Sequence, residues 1–251
     1  MFERRRDEAD DGWTSAVSSG FALAGFLSLV FAAFTLLAMG PFVRYDAYFN
    51  LAPPPEEWVP FLHVLDRVGQ RAVALPILGL VLYYVYRRTQ SWRPVAVGAA
   101  AVFVLNLVVL LLKLGLGRAS PITADPSFFA GGMAYPSGHS ANIVLVYGLA
   151  AYLVSRYTRP TQRTRVLMWG VVGLLAVTMV VTSLTLNWHW FADLVAGLLV
   201  GGIVLELTAT VDRMLPAHMW AAGGMEGLRA MLDDMLRVFR IHRPPGPTGS
   251  A

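Results

Sequence analysis

The sequence has no cysteine and few charged residues. Without cysteine, the chain can form neither disulfide bonds nor thiolate metal sites. Only 14% of its 251 residues are charged, whereas about 25% is usual for a soluble domain. Apolar residues make up 56% of the chain, so its main solvent is predicted to be a lipid bilayer. No polar stretch is long enough to bury a core of its own, which excludes a separate soluble domain.

Six apolar runs predict six membrane-spanning helices, an all-α bundle. A hydrocarbon core about 30 Å thick needs about 20 mostly apolar residues per helix, and a backbone in lipid must satisfy its own hydrogen bonds. The runs are Val17–Gly40, Ala72–Tyr86, Pro94–Leu112, Ser140–Ser155, Val166–Leu186 and Trp190–Val211. The second run is short and its helix could begin near Val64, while we expect the fourth to extend one turn at each end. The first run is longer than the apolar region of a secretory signal.

Basic residues predict the orientation of the six spans. Fifteen of the 20 lysines and arginines fall on the side that holds both termini, and five fall on the other side. The positive-inside rule makes the first side cytoplasmic. We therefore expect both termini inside a bacterial inner membrane and the loops after Gly40, Leu112 and Leu186 outside. The net charge of +4 is modest and uneven, which indicates topology rather than nucleic-acid binding.

Three parts follow from this layout. Residues 1–16 are predicted to be a cytoplasmic segment, residues 17–211 the membrane domain, and residues 212–251 a cytoplasmic tail. Within the tail, apolar residues recur at helical spacing between Met225 and Phe239. This spacing is typical either of an amphipathic helix on the inner leaflet or of a helix packed on the bundle. Residues 244–251 are predicted to be disordered.

The remaining unusual polar residues lie at predicted outer ends of spans. Lys113 and Arg118 follow the third span, Pro136–His139 leads into the fourth, and His189 and Asp193 open the sixth. Ionisable residues beside membrane spans are costly and are often functional. We therefore expect an active site at the outer face, where these three segments converge.

Each segment suits the binding of phosphate. Lys113 is the only lysine in the chain and offers a compact charge, while the guanidinium of Arg118 can hold two oxygens. Ser137 is a good N-cap, and Gly138 lets backbone N–H groups approach an anion. Snorkelling cations and simple capping are the structural alternatives. They give no reason for a histidine, His139, at the mouth of the helix.

His189 and Asp193 are four residues apart, so they share one helix face. A carboxylate can fix the tautomer of an imidazole and leave its other nitrogen free as a nucleophile. A polar pair in an aromatic belt beside Trp188 and Trp190 is the alternative interpretation. A zinc site built from His139, His189 and Asp193 is a weaker rival.

Together the three segments resemble the type-2 phosphatidic acid phosphatase family, also called lipid phosphate phosphatases. That family carries Lys-x-x-x-Gly-Arg-x-Arg-Pro, then Pro-Ser-Gly-His, then Ser-Arg-x5-His-x3-Asp. The first motif reads Lys113-Leu-Gly-Leu-Gly117-Arg118-Ala-Ser120-Pro121 here, the second is complete from Pro136 to His139, and the third reads Thr182-Ser183-x5-His189-x3-Asp193. Ser120 and Ser183 stand where the family has phosphate-binding arginines.

The resemblance implies a reaction through a phosphohistidine, without metal or other cofactor. It implies that His189 is the nucleophile, oriented by Asp193, and that His139 is the general acid. Lys113, Arg118, Ser137 and N–H groups near Gly138 would hold the phosphoryl oxygens. As our own addition, Ser120 and Ser183 could donate neutral hydrogen bonds in place of the missing guanidinium groups. Compensating charge could come from Arg118, or from Arg44, Arg67 or Arg71.

The predicted function is that of a membrane lipid phosphatase. Its substrate would be a phospholipid or polyprenyl phosphate, such as phosphatidic acid, phosphatidylglycerol phosphate or a polyprenyl diphosphate. Two alternatives remain open: a phosphotransferase acting on a lipid phosphodiester, and a non-catalytic protein that binds or moves lipid. The sequence leaves the oligomeric state undetermined.

Overall fold

The computed structural model describes residues 2–49 and 52–215, and this part of the chain is a helical bundle without strands. Five helices are long and apolar enough to cross a membrane: Ser15–Met39, Arg93–Thr123, Gly138–Thr158, Gln162–Thr185 and Phe191–Met214. A sixth span forms if the pair Glu56–Arg67 and Arg71–Thr89, bent by 41°, is counted as one. With that pair included, every predicted span is present and the prediction of an all-α membrane bundle is confirmed.

The helices are numbered in chain order. They are α1 (Phe2–Met39), α2 (Val43–Asp46), α3 (Val59–Arg67), α4 (Arg71–Thr89), α5 (Arg93–Leu116), α6 (Gly138–Asn142), α7 (Gly148–Thr158), α8 (Gln162–Thr185) and α9 (Phe191–Met214). A π-helical turn, Ile143–Tyr147, joins α6 to α7. Single-turn 3-10 helices at Ala47–Phe49, Glu56–Trp58 and Pro121–Thr123 lie in the connections.

The predicted boundaries of the two terminal segments differ from the ends of α1 and α9. α1 begins at Phe2, so residues 2–16 continue the first helix. α9 ends at Met214, three residues beyond the predicted end of the membrane domain. The predicted tail helix between Met225 and Phe239 and the segment 244–251 lie outside the described residues.

Small residues let α9 pack closely on α6 and the residue before it. A methyl group built at Gly197 would lie 2.4 Å from the carbonyl oxygen of Ser137, and one built at Gly201 would lie 2.6 Å from that of Ala141. These neighbours are backbone atoms, which cannot move aside as a flexible side chain can. Helices in membranes use such small residues to bring their backbones together. The contact fixes the Pro136–His139 segment against the start of α9.

A buried carboxylate joins three helices at one end of the bundle. Asp212 of α9 is fully buried and accepts hydrogen bonds from Arg93 Nε (2.8 Å), Tyr152 Oη (2.7 Å) and Tyr157 Oη (2.8 Å). These partners come from α5 and α7. Polar groups that replace water in this way let a charged residue remain buried. The opposite end of the bundle, where α5 ends and α6 and α9 begin, is called the site end below.

The second span is broken between α3 and α4, at residues 68–70. The break leaves carbonyl groups without helical partners, and neighbouring helices supply donors instead. Tyr147 Oη donates to the Val68 oxygen at 2.9 Å, and Asn142 Nδ2 donates to the Gly69 oxygen at 3.0 Å. Asn142 therefore makes a hydrogen bond between two membrane segments.

The α6–α9 contact gives the first testable prediction. We expect Gly201→Val to lower the thermal midpoint in detergent by roughly 5 °C or more, because the added side chain meets backbone and overpacking costs about 1–3 kcal/mol. Gly173→Val is the matched control, since a methyl group at Gly173 meets no atom within 4 Å. Differential scanning fluorimetry of both purified variants tests this. Equal midpoints would contradict the packing argument.

Candidate active site

A cleft of about 340 Å³ opens at the site end. Its walls come from the start of α4, the end of α5, the start of α6 and the loop before α9. The lining residues offer imidazole, ammonium, guanidinium and carboxamide groups, and they are Gln70, Arg71, Lys113, Gly138, His139, Asn142 and His189. Two histidines and two cations therefore face one space. Lys113, His139 and His189 come from the three segments that the sequence predicts to converge, whereas Arg71 comes from outside them.

His189 is oriented by Asp193. Nδ1 of His189 lies 3.3 Å from Oδ2 of Asp193, whose side chain is fully buried. The same oxygen accepts a hydrogen bond from the Trp190 backbone N–H at 3.0 Å, as part of the cap that begins α9. Because Nδ1 faces the carboxylate, Nε2 is left for the cleft. This is the arrangement that a histidine nucleophile or base requires.

Arg118 lies behind Asp193 and does not line the cleft. Its side chain is fully buried, and its Nη1 donates to Asp193 Oδ1 at 2.7 Å while its Nη2 donates to Asp46 Oδ2 at 2.6 Å. Nε donates to the Pro126 carbonyl oxygen at 3.0 Å. Two buried carboxylates and a backbone carbonyl therefore occupy the guanidinium that was predicted to hold phosphoryl oxygens.

Asp46 closes the back of the site from the connection after α1. Oδ1 accepts a hydrogen bond from the Ala192 backbone N–H at 3.0 Å, so this carboxylate also holds the first turn of α9. Burial raises the pKa of Asp46 above its ordinary value, and the neighbouring charge of Arg118 opposes that rise. Nearby, burial raises the pKa of Tyr135 to about 12, and its hydroxyl lies 2.6 Å from that of Thr35.

The start of α6 presents Gly138 to the cleft rather than the serine before it. Ser137 is fully buried, and its Oγ accepts a hydrogen bond from the Ser140 N–H at 3.4 Å, which makes it the predicted N-cap. A methyl group built at Gly138 would meet no atom within 4 Å, so it would project into open space. Glycine at this position leaves that part of the cleft free for a ligand beside the helix start.

Lys113 and Arg71 are the two cations of the cleft. Lys113 lies in the last turn of α5, and its Nζ donates to the backbone oxygen of Met133. Arg71 is the first residue of α4, directly after the break in the second span. Lys113 was expected here from its motif, whereas Arg71 was only one of several arginines that could supply charge.

Ser120 and Ser183 do not line the cleft. Ser120 precedes a 3-10 turn, and its carbonyl oxygen accepts the Thr123 hydroxyl at 2.8 Å. Ser183 is fully buried on α8, and its Oγ lies 3.6 Å from the Met179 sulfur. The structure gives neither hydroxyl a contact with the cleft that would replace a family guanidinium.

The donors suggested for a zinc site are used in other ways. Both oxygens of Asp193 already accept hydrogen bonds, from Arg118 on one side and from Trp190 on the other, and His189 lies beside the second. Within residues 2–49 and 52–215, no group of three or more His, Cys, Asp or Glu side chains is arranged to hold a metal ion.

Two lining residues, Gln70 and Asn142, were not assigned to the site by sequence. Asn142 follows His139 by three residues and therefore lies on nearly the same helix face, which is a usable signal. Gln70 lies in the α3–α4 break. The only signal for it is the polar cluster from Asp66 to Arg71 at the start of an otherwise apolar run.

Comparisons with known proteins agree with this architecture. Residues 91–215 match the PAP2 superfamily. Phosphatidylglycerophosphatase B from Bacillus subtilis (strain 168) is 24% identical over 154 residues, which cover 60% of this chain and 73% of that protein. The crystal structure of a transmembrane PAP2-type phosphatidylglycerolphosphate phosphatase from Bacillus subtilis superimposes with a TM-score of 0.61 at 17% identity, covering 77% of this chain and 98% of that one.

The matched segment contains all three sequence motifs, from Lys113 to Asp193, and the similar crystal structure shares the fold. The chain belongs to the PAP2 superfamily and has the fold of its transmembrane phosphatases.

Proposed function

We propose that this protein hydrolyses the phosphate ester of a membrane lipid through a phosphohistidine on His189. One observation carries the proposal: His189, whose Nδ1 lies against Asp193, lines the same cleft as His139, Lys113 and Arg71. An oriented imidazole, a second imidazole and two cations are the groups that metal-independent phosphoryl transfer needs. The PAP2 membership of the chain supports the same reaction class.

In the first step, Nε2 of His189 attacks phosphorus and the bond between phosphorus and the lipid oxygen breaks. His139 gives a proton to the departing oxygen, so the lipid leaves as an alcohol. Asp193 stabilises the positive charge that develops on the His189 ring. Lys113 and Arg71 stabilise the negative charge on the phosphoryl oxygens.

In the second step, water attacks the phosphorus of the phosphohistidine. His139, now neutral, accepts a proton from that water, and the bond between phosphorus and Nε2 breaks. Inorganic phosphate leaves and His139 is protonated again. A single imidazole can serve as acid and then as base because its ordinary pKa is close to neutral pH.

Arg71 is proposed to supply charge that the family obtains from its motif arginines. Serine occupies both of those positions here, at Ser120 and Ser183, and neither side chain lines the cleft. Arg71 does line it, and comes from the second span, outside the three motifs. Two cations, Lys113 and Arg71, would then face a phosphate dianion.

The proposed substrate is a lipid phosphomonoester or diphosphate, with the phosphatidylglycerol phosphate class first. The similarity to phosphatidylglycerophosphatase B of Bacillus subtilis motivates that order. The proposed location is a bacterial inner membrane with the cleft on the outer face. The arginines at the opposite end of the bundle, Arg87, Arg88, Arg93, Arg156, Arg159, Arg163, Arg165 and Arg213, support that orientation.

The primary test is phosphate release by the purified protein in excess chelator. We expect phosphatidylglycerol phosphate, phosphatidic acid or a polyprenyl diphosphate to release phosphate. His189→Ala should abolish release, since it removes the proposed nucleophile, and His139→Ala should reduce it about 10²–10⁴-fold, the usual contribution of a general acid. Trapping of ³²P-labelled His189 by rapid acid quench tests the intermediate.

His63→Gln is the matched control, because His63 lies outside the cleft, against Trp188. It should retain activity within a few-fold of wild type. Full activity of His189→Ala would exclude the mechanism, and loss of activity with chelator would restore a metal-dependent one. Transfer of phosphate to an added alcohol in place of water would identify a phosphotransferase.

The role of Arg71 is tested by comparing the effects on kcat/KM of substituting Arg71 and the nearby Arg67. Arg71→Ala should lower kcat/KM about 10- to 100-fold, because a charge-assisted hydrogen bond contributes about 1.5–3 kcal/mol. Arg67→Ala removes an exposed arginine that does not line the cleft, and it should change kcat/KM less than about threefold. Equal effects of the two substitutions would show that only the general positive potential matters.

A further inference from the structure

His139 also has a carboxylate neighbour, and it comes from outside the three motifs. Oδ1 of Asp66, in the last turn of α3, lies 3.7 Å from Nδ1 of His139. Asp66 is fully buried, and Oδ1 has no hydrogen-bond partner in the described structure. Its other oxygen, Oδ2, accepts a hydrogen bond from Gln70 Nε2 at 3.2 Å.

The position of Asp66 is unfavourable for the stability of its own helix. A negative charge in the last turn of a helix opposes the helix dipole, and a buried carboxylate without a bonded cation loses its hydration. In the described structure, its one ion-pair contact is with His139. A role toward that histidine accounts for a carboxylate here, where capping and packing do not.

The chain around Asp66 holds it against His139. The break that follows Asp66 is fixed by hydrogen bonds from Tyr147 to Val68 and from Asn142 to Gly69. A methyl group built at Gly69 would lie 3.0 Å from His139 Cβ and 2.6 Å from Met179 Cε, so the backbone of the break lies directly against the base of the histidine.

We propose that Asp66 is the positioning residue of His139, an inference that rests on the proposed function. Oδ1 accepts a hydrogen bond from the Nδ1–H of His139 when the ring carries the proton that it will donate. This orients Nε2–H toward the departing lipid oxygen. The present separation is about 0.5 Å longer than a hydrogen bond, and such contacts often shorten when a substrate is bound.

The cleft would then contain two histidine–aspartate pairs with opposite tasks. Asp193 orients a neutral ring that attacks phosphorus, and Asp66 orients a protonated ring that donates to the leaving group. In the first step, the second task matters only where the leaving oxygen needs a proton, whereas the attack of water in the second step is common to all substrates. Loss of Asp66 should therefore make the rate of the first step depend on the leaving group, which a purely structural defect would not produce.

The test measures the activity of the Asp66→Asn variant on two substrates, phosphatidic acid and p-nitrophenyl phosphate. Phosphatidic acid releases an alkyl alcohol that needs protonation, whereas p-nitrophenolate leaves without it. We expect the single-turnover rate of alcohol release from phosphatidic acid to fall about 10- to 100-fold, and the single-turnover rate of p-nitrophenolate release from p-nitrophenyl phosphate to fall less than about threefold. His139→Ala should show the same difference more strongly, and Asp66→Glu should restore part of the loss.

Asp125→Asn is the control, an exposed carboxylate on the connection between α5 and α6. It should leave both rates unchanged. Asp66→Ser serves as a second variant if the asparagine protein does not fold, and it should separate the two substrates in the same way. Equal losses with both substrates, or no loss with either, would overturn the role of Asp66 while leaving the proposed function in place. A wild-type protein that is inactive on both substrates and on the other lipid phosphates of the primary test would overturn the proposed function and this inference together.

Discussion

The ion pairs of Arg118 hold the site together. One guanidinium, inaccessible to water, bridges Asp193 beside His189 and Asp46 in the connection after α1. Asp46 in turn accepts the backbone N–H of Ala192, and Phe128 and Trp190 lie against the guanidinium, with ring centroids 4.7 and 5.6 Å from its carbon. A buried charge must be matched by an opposite charge, so Arg118, Asp46 and Asp193 act as a unit. The position of His189 depends on that unit through Asp193.

The fold could be predicted from composition because lipid permits few alternatives. Uncharged runs of about 20 residues identify the first, third and fifth spans directly, and the sixth is predominantly apolar although it contains Asp193 and Glu206. The second span was harder to place because polar residues interrupt it at the α3–α4 break. Hydropathy reports an average over a window, and cannot show that the Val68 and Gly69 carbonyls find donors on another helix.

Motifs in the sequence identified residues that meet, but they did not predict how each one bonds. Lys113, Gly138, His139 and His189 line the cleft as expected. The partner of Arg118 could not be foreseen, since Asp46 lies 72 residues earlier in a connection without any recognisable pattern. The motifs also failed to identify Gln70 and Arg71 as residues of the cleft. Both lie at the break in the second span, whereas the motifs lie in other segments. Spacing along one helix is readable from sequence, whereas contacts between connections depend on the packed fold.

The π-helical turn between α6 and α7 separates the fourth span into two independent registers. Such a turn takes up one residue more than an α-helical turn. Before it, His139 and Asn142 face the break and the cleft; after it, Tyr152 and Tyr157 face Asp212 at the other end of the bundle. If the span were uninterrupted α-helix, one of these halves would be rotated by about 100° away from its partners. A sequence alignment of this span with its relatives should therefore allow a one-residue gap within Ile143–Tyr147. The residues before and after that turn should be aligned separately.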